Sequence, residues 1–224
     1  PRGPATDRHE PRLNKMRIGI DFDNTIACYD GVFHAAALER GLIPADLPSD
    51  KTSVRNHLRA IGREDDWTEL QGYVYGARMD LVGLYPGVAA FIAAAQRAGH
   101  DVFIVSHKTR TPYRGPAYDL HEAARGFLAA RHLTDPAQGG IPAERAFFEL
   151  TIAEKLARIG TLGLDSFIDD LPEVLAEPAF PPRCRAILFD PEANHPDGVW
   201  QGRRFERHGG WDGIAAALLG RDAA

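Results

Sequence analysis

Met16-Arg-Ile-Gly-Ile-Asp-Phe-Asp23 is a short apolar run that ends in acids. It predicts a buried strand whose C-terminal end presents carboxylates. Side chains alternate along a strand, so Asp21 and Asp23 point the same way and Phe22 points opposite, into packing. Three further runs share this character: Asp101-Val-Phe-Ile-Val-Ser106, Asp165-Ser-Phe-Ile-Asp-Asp170 and Arg185-Ala-Ile-Leu-Phe-Asp190. Between them the pattern predicts helices over Val88–Ala98, Tyr118–His132 and Gly213–Leu219, and one from Thr151 to Ile159 with Glu154 completing a capping box. Residues 145–150 are a candidate strand. Apolar strands alternating with helices define an α/β sheet that is largely parallel. The stretch 31–83 breaks the alternation. It reads as three helices (Gly31–Arg40, Thr52–Ile61, Glu64–Leu81) and is taken as a helical cap inserted into a core of residues 16–30 and 84–220.

The whole chain is consistent with that division. Its 224 residues suffice for one domain carrying an insert. A hydrophobic share of 44% and a charged share of 25% exclude wholesale disorder and collagen-like repeats. No apolar run approaches the ~18 residues of a membrane span. Residues 1–15 hold three prolines and no apolar h-region, so they read as a disordered or tag-like lead-in rather than a secretory signal. Cys28 and Cys184 are too few for a disulfide scaffold and fit a reducing, cytoplasmic setting. With 31 acidic and 26 basic residues the net charge is −5, which gives no global attraction to nucleic acid or membrane. A phosphate-bearing ligand would have to be attracted locally.

Ligands of open α/β sheets bind beyond the carboxyl ends of the strands. Here those ends carry Asp21 and Asp23, Ser106, and Asp169 with Asp170. Four carboxylates at one sheet edge repel unless a cation lies among them, and all-oxygen ligation favours Mg²⁺. A carboxylate can attack phosphorus if the phosphate charge is neutralised, by metal and by lysine. Lys155 leads for that role, in the helix before the acidic strand and as one of only four lysines. Lys108, just past Ser106, is its rival. Ser106 can donate to a phosphoryl oxygen.

DFDNT (21–25), the serine closing FIVS (103–106), Lys155 within TIAEKLARI and FIDDLPEV (167–174) resemble, in order, the four motifs of the haloacid dehalogenase-like (HAD) superfamily. The resemblance implies a Rossmann-like three-layer sandwich with the insert at the family's C1 cap position. It implies Asp21 as nucleophile and Mg²⁺ ligand, and Asp23 as general acid/base with its backbone carbonyl on the metal. Ser106 would bind the phosphoryl group, Lys155 would neutralise charge, and Asp169 with Asp170 would complete the metal site. Asn24, Thr25, His107 and Lys108 are expected beside the substrate. Asn24 stands where the family commonly has glycine, and asparagine tolerates unusual backbone angles. A second aspartate two positions after the first favours phosphatase over dehalogenase chemistry.

The expected activity is a Mg²⁺-dependent phosphatase acting on a small phosphorylated metabolite through an aspartyl phosphate. A phosphotransferase or mutase using the same intermediate, and a receiver-like signalling module, are the alternatives. The order of acids, with the pair first, disfavours the receiver. No GxxxxGK[ST] or GxGxxG stretch is present. Arg55, Arg59, Arg78, Arg110 and Arg114 read singly as solvated charges, Trp67, Tyr73 and Tyr75 as cap core, and His34, His57, His121, His195 and His208 as surface residues.

Overall fold

A computed structural model gives the structure of residues 15–220. The lead-in before Lys15 and the last four residues lie outside the described residues. The elements run β1 (Arg17–Ile20), β2 (Ala27–Cys28), α1 (Val32–Glu39), α2 (Lys51–Ala60), α3 (Glu64–Ala77), β3 (Gly83–Leu84) and α4 (Val88–Arg97). They continue with β4 (Asp101–His107), α5 (Leu120–Ala130), β5 (Ala146–Glu149), α6 (Ile152–Leu162), β6 (Ser166–Asp169), α7 (Pro172–Ala176) and β7 (Arg185–Phe189). The chain closes with β8 (Val199–Trp200), β9 (Arg203–Arg204), β10 (Glu206–His208) and α8 (Trp211–Leu219).

Six strands form one sheet in the order β10-β7-β6-β1-β4-β5, and every pair is parallel. The fold is therefore α/β with helices on both faces, as the alternating pattern predicts. The period of two in each strand separates the two faces. Val102, Ile104, Ile168, Ile187 and Phe189 join the larger apolar cluster, which also holds Phe91 and Ile92 of α4, Phe127 and Leu128 of α5 and Trp211 of α8. Phe103, Val105, Phe167 and Leu188 face the other way, with Leu156 and Ile159 of α6 and Val174 and Leu175 of α7. Phe22 is fully buried and meets Phe127 and Phe148 edge-on, both at 5.5 Å. Truncating such a ring costs about 3–5 kcal/mol.

β1 is flanked by β6 and β4, so it occupies the sheet interior. Its register with Ser166–Ile168 and Asp101–Ile104 places the ends of three strands side by side. That alignment is what brings Asp21, Ser106 and Asp169 to one edge. The capping box on α6 is present, with Thr151 Oγ1 accepting from Glu154 N and Glu154 accepting from Thr151 N.

β2 and β3 form an antiparallel ribbon, Ala27 opposite Leu84 and Cys28 opposite Gly83. The chain thus leaves and re-enters the core at adjacent points. The intervening α1, α2 and α3 pack on one another through Phe33, Val54, Leu58, Trp67, Leu70 and Val74. Helix α3 ends at Ala77, short of the Leu81 read from the sequence. Met79 and Val82 are buried there, and the chain must straighten to pair β3 with β2. The polar edge strand β10, the β8–β9 ribbon and the five-residue α7 have no apolar period to announce them, and the sequence reading missed them.

Candidate active site

Asp21 follows directly on β1, and its backbone N–H donates to the Ile168 carbonyl at 2.9 Å, continuing the ladder with β6. Its carboxylate is buried. Lys155 reaches across from α6 and donates to Asp21 Oδ1 and to Asp169 Oδ2, both at 2.6 Å. The lysine is 2% exposed. Burial alone would depress its ammonium, but Asp169 and Asp21 outweigh that and hold its pKa above the ordinary lysine value. For Asp21 the balance goes the other way. Burial, with Asp169 and Asp23 adding repulsion, pushes its carboxyl up to about 7 despite Lys155. Asp170 is likewise raised, by burial first and then by Asp169 and Asp21.

One carboxylate oxygen from each of Asp21, Asp169 and Asp170 lies within 4.8 Å of the others. Asp169 is committed on its second oxygen to the Leu171 amide at 3.0 Å. Thr25, fully buried, donates from Oγ1 to Asp170 at 3.4 Å. Two buried carboxylates and a half-buried third against one lysine leave excess negative charge, and the donors are all oxygen. These residues therefore fit a hard divalent cation such as Mg²⁺.

Asp23 is not part of that group of three side chains. Its Oδ1 and Oδ2 accept from Lys108 Nζ at 3.0 and 2.7 Å, and Oδ1 also accepts from Tyr29 OH at 2.5 Å. The two lysines thus divide the acids between them, Lys155 holding Asp21 and Asp169, Lys108 holding Asp23. Lys108 is buried, and its ammonium stands 5.5 Å from the Phe22 ring and 4.7 Å from the Tyr75 ring. Asn24 adopts φ +56°, the left-handed conformation anticipated for the position. Its N–H donates to Ala27 O at 2.9 Å, and the adjoining Thr25 carbonyl accepts from Trp211 Nε1 at 3.2 Å, so α8 anchors the turn.

Ser106 is buried at the end of β4. His107 is exposed between buried Ser106 and Lys108, so strand alternation carries it away from the cluster. The structure brings together Asp21, Asp23, Asn24, Thr25, Lys108, Lys155, Asp169 and Asp170, and leaves His107 outside. His121 is a correction to the sequence reading. It is buried rather than on the surface, packed 5.7 Å from Phe148 with Nε2 2.8 Å from the Lys108 carbonyl, where it braces the segment that presents Lys108.

A cavity of about 480 Å³ opens beside the cluster. Asn24 and Asp170 line its floor side, Lys51 and Thr52 come from the start of α2, and Asp190 and His195 come from the segment after β7. Sequence reasoning missed Tyr29 and Lys51. The rarity of lysine in this chain was the available signal for Lys51. Tyr75, read as cap core, is half-buried and spans both worlds, accepting from Lys51 Nζ at 3.1 Å and packing 5.1 Å edge-on to Tyr29. Arg59, Arg78, Arg110 and Arg114 pair with Glu64, Glu39 and Asp80, Asp119 and Asp65 respectively. Arg59, Arg110 and Arg114 are exposed surface charges, while Arg78 is half-buried.

No protein-family description matches the chain, and no curated protein matches it. Solved structures do match. A HAD-superfamily hydrolase from Ehrlichia chaffeensis is 14% identical, with TM-score 0.54, over 93% of this chain and 98% of that one. A family IA, variant 3 HAD hydrolase from Entamoeba histolytica is 13% identical, with TM-score 0.55, over 93% and 98%. A HAD family hydrolase from Deinococcus radiodurans R1, solved with bound phosphate and sodium, is 17% identical, with TM-score 0.50, over 93% and 97%. The likeness is one of fold, and it extends over nearly the whole chain. This chain has the fold of the HAD-superfamily hydrolases. No helix among the described residues is long and apolar enough to cross a membrane.

Proposed function

We propose that this protein is a Mg²⁺-dependent phosphatase that hydrolyses a small phosphorylated metabolite through an aspartyl phosphate on Asp21. The observation that supports it most is the buried Lys155 ammonium bridging Asp21 and Asp169, with an Asp170 oxygen within 4.8 Å of oxygens of both. A carboxylate so placed has its charge compensated from the protein side while an oxygen remains free for phosphorus. The phosphate bound to the Deinococcus protein of the same fold is consistent with this reading.

In the proposed reaction a carboxylate oxygen of Asp21 attacks phosphorus in line. The new O–P bond forms as the ester O–P bond breaks, and the leaving oxygen takes a proton from Asp23. Water then gives a proton to Asp23 and attacks the aspartyl phosphate, releasing inorganic phosphate and restoring the Asp21 carboxylate. Ser106 donates to a phosphoryl oxygen, and Lys155 balances its charge. Lys108 and Tyr29 hold the Asp23 side chain in place, and the proton that water returns to it restores the acid for the next cycle. Asp21, Asp169 and Asp170, with the Asp23 backbone carbonyl, would hold Mg²⁺, which supplies electrophilic stabilisation of phosphoryl charge. The segment 31–83 serves as a cap over the site, with the β2–β3 ribbon as its two connections to the core.

The test is phosphate release from sugar phosphates, nucleotides and organic acid phosphates with Mg²⁺ or EDTA. Release should require Mg²⁺ and vanish in Asp21→Asn while that variant keeps its circular dichroism spectrum. Wild-type turnover by Asp21→Asn would remove the nucleophile assignment, and full activity in EDTA would remove the metal.

A further inference from the structure

Lys51 is the cation on the cap side of the cavity that nothing in the proposed reaction uses. It is the first residue of α2, after Asp50 as N-cap. Its ammonium lies 4.7 Å from the Phe33 ring and 5.8 Å from the Tyr75 ring, and among the described residues its one hydrogen bond is to Tyr75 OH at 3.1 Å. Among the described residues it forms no ion pair. A half-buried ammonium without a counter-ion is costly, because aromatic faces replace only part of its hydration. Burial, then Arg55 and Lys108, push its pKa down, while Asp23 and Asp170 oppose them.

Two of the carboxylates that line the cavity are already occupied. Asp50 accepts from Ser53 N at 2.8 Å and from Ser53 Oγ at 2.6 Å. Asp190 accepts from Arg207 Nε at 2.7 Å and from the Asn194 and His195 amides, both at 2.9 Å. Lys108, whose charge also acts on Lys51, is spent on Asp23. Lys51 therefore presents free N–H donors into the cavity, flanked by the hydroxyl-bearing Ser49 and Thr52.

We infer that Lys51 binds an anionic group on the leaving-group portion of the substrate, so that the substrate is a phosphoester carrying a second negative charge, a carboxylate or a second phosphate. The inference rests on the phosphatase reading and assigns its substrate class. It requires no movement of Lys155 or Lys108 from the acids they hold.

3-Phosphoglycerate and glycerol 3-phosphate, which differ by a carboxylate in place of a hydroxymethyl group, provide the test. Wild-type protein should favour 3-phosphoglycerate in kcat/KM by about tenfold, the worth of one charge-assisted hydrogen bond. Lys51→Gln should lose that preference through a raised KM, leaving glycerol 3-phosphate within about twofold, and Lys51→Arg should restore it. An equal loss on both substrates would place Lys51 on the transferred phosphoryl group and overturn the inference, as would a wild type without preference. Calorimetric binding of the same two compounds to Asp21→Asn, with and without Lys51→Gln, separates this from the phosphatase reading. A carboxylate preference that disappears with Lys51 supports the subsite even if no turnover is found. Equal binding, or binding of neither compound, overturns it.

Discussion

Lys155 Nζ and Asp21 Oδ1 stand 134 positions apart in the chain and 2.6 Å apart in the fold. The same ammonium reaches Asp169 at 2.6 Å, so one lysine on α6 ties the ends of the two neighbouring strands β1 and β6. Both carboxylates and the lysine are buried. In so poorly solvated a place each charge needs the others, and removal of one partner leaves an uncompensated ion.

Lys155→Met should therefore destabilise the metal-free protein by about 3 kcal/mol at pH 8. Without the lysine, Asp21 prefers the neutral form more strongly in the folded state, so the folded protein binds more protons than the unfolded one. Stability then falls as pH rises, and the deficit should shrink on going to pH 5. Urea unfolding of both proteins at both pH values measures it. A loss that does not change with pH would show that Lys155 acts as packing rather than as a counter-charge.

The wild-type site carries a pH dependence of its own. Asp21 is raised from an ordinary carboxylate value to about 7, chiefly by burial. An acid whose folded pKa exceeds its unfolded one costs stability as it ionises, so the metal-free protein should lose Tm between about pH 4 and pH 7. Asp170, raised in the same direction, adds to the effect. A cation among these oxygens favours the ionised forms. Mg²⁺ should consequently raise Tm more at pH 8 than at pH 5, as thermal melts with Mg²⁺ and with EDTA would register. An equal Tm gain at both pH values would contradict the assignment of these acids to the metal.

Gly76 lies inside α3, where glycine ordinarily weakens a helix. A Cβ at this position would come 2.4 Å from Tyr118 Cβ and Cγ, on the segment between β4 and α5. Gly72, one turn earlier, meets Pro112 in the same way at 2.6 Å. Helix α3 thus lies directly against the loop that begins at Lys108. Gly76→Ala should cost about 1–3 kcal/mol through overpacking. Gly126→Ala, in α5 with open space around it, should be neutral or stabilising by up to about 1 kcal/mol. Denaturant melts of the two variants make the comparison, and parity between them would mean that the contact yields without cost.

Much of this arrangement is legible in the sequence for a physical reason. The apolar runs before Asp21, Ser106 and Asp169 are long enough to be buried strands, and parallel strands linked by helices end at one sheet edge. The order of acids, serine and lysine then leads to the proposal of a phosphoryl-transfer site before any coordinate is known. Gly72 and Gly76 stand inside α3 at points of close approach, a role that depends on Pro112 and Tyr118 far along the chain. His121 read as a surface residue because a lone histidine shows nothing of the carbonyl that will cover it. Strand β10 escaped notice because its polar residues lie at the sheet edge, where no alternation is required.

By itself the sequence determined the α/β class and the acids at the strand ends, since these follow from local periodicity and residue chemistry. Tertiary structure alone decided which lysine serves which acid. Along the chain Lys155 leads and Lys108 rivals it for one role, and only the register of β1 with β6, and the turn after β4, assign the first to Asp21 and Asp169 and the second to Asp23. The same holds for Lys51. Its role depends on whether a counter-ion lies nearby, and a count of charges along the chain carries no distances.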